Sequence, residues 1–139
     1  MVGFNLFGWS KDEKLFWLAS AVPGNFVKIA VYENGKTTWF PRDHATDDYN
    51  LDLDEGLLAH SNRPFTYDEE GEQEYLKKKE PTILKVLDVR ADKEIEIARG
   101  TSNKFEPQWD GENLHYSLGG TAHKISKTKI KAKLNAVKK

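Results

Sequence analysis

The chain contains no cysteine. That excludes disulfides, thiolate zinc sites and a cysteine nucleophile, and leaves the redox compartment open. Methionine occurs once and proline five times. No apolar run reaches the ~20 residues that a membrane-spanning helix requires, so no membrane span is expected. The opening stretch, residues 1–14, lacks a basic segment followed by an apolar core and a small-residue cleavage site. The expected location is therefore cytoplasmic if the chain is complete as it stands, and periplasmic or secreted if a leader was removed. A net excess of charge is also missing: 21 basic and 22 acidic residues leave −1, so the chain as a whole is no polycation.

What is present is a single-domain length of 139 residues with 38% hydrophobic and 12% aromatic content, four tryptophans among them. A chain of this size buries about two-thirds of its unfolded surface and needs no metal staple. The charge is poled. Residues 43–80 carry twelve acids against four bases, and residues 120–139 carry seven lysines and no acid.

Strand patterns dominate. Leu15 to Ala19 is a compact apolar run, and Phe26 to Tyr32 is rich in β-branched residues. The latter meets Asn34-Gly35, the strongest short hairpin signal, and Thr37 to Phe40 returns from it. Thr82 to Val89, Glu94 to Ala98 and Asn113 to Leu118 extend the list. Residues 69–79 suit a short exposed helix or a loop. In residues 125–137, Ile130, Leu134 and Val137 have helical spacing while Lys127, Lys129, Lys131 and Lys133 alternate. The segment reads as a strand followed by a basic tail. The fold expected is all-β: a small antiparallel β-sandwich or curled sheet. Residues 1–123 would form the β-rich domain, with a surface insertion near 62–81, and 124–139 a basic C-terminal segment.

Three segments share one grammar: a large apolar residue, a tight turn containing Asp, then a strand opening with Leu. They are Phe7 to Leu18, Leu51 to Ser61 and Pro107 to Ser117. Trp9-Ser10-Lys11-Asp12-Glu13-Lys14-Leu15-Phe16 resembles the W-S-P-D-G-K-x-L-A-F turn of TolB-type, WD40-like β-propeller blades, with Lys11 for Pro and Glu13 for Gly. Pro107 to Leu114 resembles it with a shortened turn. The resemblance covers roughly residues 5–120, in two complete units and one partial one. It implies blade-like hairpins whose Trp anchors one unit on the next. Propellers close with typically four to eight blades, so two to three units form part of a larger chain, assemble with further copies, or fold as a small sheet using the same hairpin grammar. The last fits a chain of this length.

Candidate sites are few. His44 beside Asp43, Asp47 and Asp48 has ligand types for a divalent ion, but also those of a solvated acidic loop. Residues 47–55 lack the glycine and the final glutamate of an EF-hand loop. His60 and His115 hold equivalent places in two units. No serine sits in a nucleophile elbow, and Gly119-Gly120-Thr121 lacks the phosphate-loop pattern. No metal, cofactor or catalytic residue is assigned. Trp39, Phe40, Arg63, Phe65 and Tyr67 place aromatics and one arginine beside prolines, a composition suited to a protein contact. The lysine-rich end suits an anionic partner, or the acidic region of the same or another chain; it lacks the aromatics of a single-strand nucleic-acid platform. The expected function is a non-catalytic β-rich interaction module that binds a protein partner or itself. The alternatives are a carbohydrate- or small-ligand-binding sandwich using Trp39, Tyr67 or Trp109 and, behind it, a metal-assisted enzyme around His44.

Overall fold

A computed structural model describes residues 3–9, 16–22, 26–33, 35–40, 48–52, 55–63, 66 and 68–137, with side chains at 35–36 and from 48 onward. The protein is mostly β: the described residues form three antiparallel sheets and two short helices.

The first sheet is a meander of β1 (Gly3–Trp9), β2 (Phe16–Val22), β3 (Phe26–Glu33) and β4 (Lys36–Phe40), in that order. The Glu33↔Lys36 pair closes a two-residue loop ending in Gly35 at φ +76°. Positive φ is why glycine follows asparagine in such a hairpin. The second sheet repeats the plan with β5 (Tyr49–Asp52), β6 (Leu57–Ser61), β7 (Pro81–Asp88) and β8 (Lys93–Thr101), again in sequence order. The third has three strands, β9 (Gln108–Trp109), β10 (Asn113–Leu118) and β11 (Thr121–Ser126), with β10 central.

The three motif segments fall at one place in this plan, the first hairpin of each sheet. Trp9 ends β1, Asp52 ends β5 and Trp109 ends β9. In the two copies with described side chains the Asp carboxylate holds the turn. Asp52 Oδ1 accepts from the Glu55 amide at 3.3 Å, while Asp110 Oδ1 accepts from the Glu112 and Asn113 amides at 2.9 and 2.7 Å. These are Asx-type turns, in which a short carboxylate replaces a backbone acceptor. Leu57 and Leu114, the leucines that follow, are 2% and 0% exposed. Leu15 lies outside the described residues.

β6 is a central strand and all five of its residues are buried. Along β7, Thr82, Leu84 and Val86 alternate into the interior. With Leu57, Ala59, Phe105 and Leu114, the side chains of Leu84 and Val86 line one core, shared by the second and third sheets. Gly100 on β8 allows the closest approach there: a Cβ would stand 2.8 Å from Asn103 Cβ and 2.9 Å from Leu118 Cδ1.

Residues 62–81 hold helix α1 (Glu69–Lys78). Asp68 Oδ1 caps it by accepting from the Gly71 amide, acids fill its first turn and lysines its last, and Tyr75 is its buried residue. The end of the chain corrects the expected strand and basic tail. β11 stops at Ser126, whose Oγ accepts from the Lys129 amide at 3.1 Å, and helix α2 (Lys127–Ala136) begins. Ile130 and Leu134, one helical turn apart, are buried among Leu57, Phe105 and Leu114. Burial of that pair favours the 3.6 period over the alternation of the lysines, which requires only solvent. Neither described helix is long and apolar enough to cross a membrane.

Candidate functional site

The residues expected to form a contact patch divide. Trp39 and Phe40 lie on β4, opposite Ala30 and Ile29, with side chains outside the described set. Phe65 and Tyr67 lie outside it altogether. Arg63 is described, and it departs from the exposed role expected of it, being 3% exposed. Its Nη2 donates to both carboxylate oxygens of Glu72 at 2.6 Å, and its guanidinium carbon lies 4.7 Å from the Tyr75 ring centre. Thr66 Oγ1 adds a bond to Glu72 at 2.8 Å. The Arg63 hydrogen bond holds the Glu72 carboxyl below its ordinary range, and burial pushes the Tyr75 hydroxyl up. This network clamps α1 to the segment after β6. Its charge is turned inward.

The histidines are paired with carboxylates. His60, 3% exposed on β6, bonds Glu94 Oε2 through Nε2 at 2.7 Å, and Lys85 lies 3.5 Å from the other Glu94 oxygen. Burial raises the Glu94 carboxyl, but the His60 and Lys85 contacts outweigh it and leave the group below its ordinary range. His115 Nε2 bonds Asp110 Oδ2, and that bond with the two turn amides holds Asp110 well below the usual carboxylate range. β6 and β10 belong to different sheets, and each histidine has its own carboxylate. His44 lies outside the described residues, among which no group of three or more His, Cys, Asp or Glu is arranged to hold a metal ion.

Asp48, one of the acids grouped with His44 in the sequence, is 1% exposed. It accepts from Ser61 Oγ at 2.7 Å and from the Phe105 and Glu106 amides at 2.9 and 2.8 Å. Nothing in the local sequence marks it, since its partners are far along the chain.

The lysine-rich end meets part of the acidic region directly. Lys127 Nζ pairs with Asp52 Oδ2, and Lys131 Nζ lies 2.7 Å from Glu55 Oε2. Lys127 also stands 5.6 Å from the centre of the Trp109 ring, whose Nε1 donates to the Asn50 carbonyl at 3.0 Å. Trp109 thus has its indole N–H bonded and a cation near its ring. Lys124, Lys129 and Lys133 are exposed and make no ion pair among the described residues. The signal for this division was present in the sequence as the two charge poles, but which lysine meets which acid is set by how α2 folds back.

Scans against family models, curated proteins and solved structures find no match for the chain.

Proposed function

We propose that the protein is a non-catalytic β-rich interaction module, built from hairpins resembling those of propeller blades, which binds a protein partner or further copies of itself. What supports the reading most is the unequal treatment of the lysines. Lys127 and Lys131 are consumed by Asp52 and Glu55, whereas Lys124, Lys129 and Lys133 remain in solvent on one continuous stretch of chain. A basic surface without an acidic partner among the described residues, on a chain of net charge −1, suits an anionic partner surface and steers its approach. The blade resemblance is supported by two four-stranded meanders of identical order and by Asp-held turns at equivalent hairpins.

The test is native isolation of tagged protein from its own cells, followed by native mass measurement. A stoichiometric complex that Lys129→Glu with Lys133→Glu disrupts, while circular dichroism is unchanged, is the expected result. A monomer without a partner at every concentration would overturn the reading.

A further inference from the structure

Among the described residues the third sheet is one strand short of the other two, and no described strand pairs with its outer edge. The Asp110 amide donates to the Asn113 carbonyl at 3.0 Å and the Ser117 amide to the Phe105 carbonyl at 2.8 Å, so the odd-numbered residues of β10 turn their backbone groups toward β9. Alternation turns those of Leu114, Tyr116 and Leu118 toward β11, where they oppose Ile125, His123 and Thr121. The N–H and C=O of Ala122 and Lys124 therefore point away from β10, as does the Ser126 N–H. No described residue bonds the Ala122 or Lys124 groups. The side chains of Thr121 to Lys124 are all exposed, so both faces of the strand are open as well. In the first and second sheets the corresponding place is filled by β4 and β8. In the third the chain leaves it by turning into α2.

We propose that this edge receives an extended acidic peptide as a fourth, antiparallel strand. Main-chain hydrogen bonds would supply affinity, and Lys124, with Lys129 and Lys133 beyond it, selection for acidic side chains. A second copy of the chain is a poorer occupant. The fullest antiparallel registers of β11 on itself oppose Lys124 to Lys124 or His123 to His123 and bring two lysine-rich segments together, and like charges directly opposite are destabilising. The proposal gives the interaction reading its partner chemistry and rests on that reading.

The probe is a fluorescein-labelled peptide of alternating glutamate and valine, capped at both ends and followed by anisotropy. One control carries N-methyl groups on alternate valines; another has lysine for glutamate. The expected result is saturable binding, with amide exchange at Ala122 and Lys124 slowed at least about tenfold. N-methylation and Ala122→Pro should each weaken binding at least about tenfold, since proline there removes an outward donor and no bond to β10. The lysine peptide should not bind. Absence of saturable binding, or binding indifferent to N-methylation, overturns the proposal. So does a dimer, formed without peptide, that Ala122→Pro dissolves. If the natively isolated partner stays bound to Ala122→Pro with unchanged affinity, the edge is wrong and the interaction reading survives. If no partner is found at all, the wider reading falls.

Discussion

Asp48 and Phe105, fifty-seven positions apart, are joined by a hydrogen bond of 2.9 Å from the Phe105 amide to Asp48 Oδ2. The other carboxylate oxygen accepts from the Glu106 amide, and Glu106 stands at φ +48°. A buried carboxylate ahead of β5 thereby holds the backbone that leads into β9, and ties the second sheet to the third. Phe105 itself is 0% exposed in the shared core.

Asp48→Asn keeps the volume but sets an amide donor against an N–H. We expect a loss of about 2 kcal/mol, the cost of leaving a buried donor unmatched. Urea unfolding measures it. An unchanged midpoint would show that the bond is dispensable.

Helix α2 is a core element, so Leu134→Ala should cost about 2–5 kcal/mol by leaving a cavity beside Phe105 and Leu114. Lys133→Ala, on an exposed neighbour, should stay within about 0.5 kcal/mol. Thermal melts of the pair separate a packed helix from an appended tail: equal melting temperatures would contradict the packing.

Lys127→Gln leaves the Asp52 carboxylate, 9% exposed, without its cation. A loss of about 2 kcal/mol is expected from the uncompensated charge. Trp109 emission should shift as the ammonium leaves its ring. In a double-mutant cycle with Asp52→Asn, a coupling near zero would show that the pair contributes nothing.

The acid limb of stability should owe part of its slope to Glu72. Its carboxyl is held below the ordinary 4.5 by the Arg63 hydrogen bond. The unfolded chain therefore binds the proton first on acidification. The stabilisation is fully present above the unfolded value and is lost as pH falls from there through the lower folded one. Glu72→Gln should be less stable at neutral pH and lose less on acidification. Urea midpoints across that range check it, and a limb as steep as the parent's would refute it.

Much of the architecture is legible locally. The β3–β4 hairpin follows from Asn34-Gly35, and the limits of β10 follow from its apolar spacing and the Gly119-Gly120 turn. The grammar of Trp9, Asp52 and Asp110 marks the first hairpin of each sheet, and at Asp52 and Asp110 the reason is local: the carboxylate accepts from amides two or three residues ahead. Arg63 was legible as a distinctive residue but not in its role. Whether a guanidinium faces a partner or a carboxylate of its own chain depends on where α1 sets Glu72.

The sequence by itself determined the all-β class, most of the turns and the separation of charge into two poles, since each arises from residues within a few positions of one another. Only the tertiary structure decided that the last segment is a helix, that Asp48 bridges two sheets, and which lysines meet acids. The period of a segment is settled by the face it must bury, and a long-range ion pair by the packing that brings its members within reach.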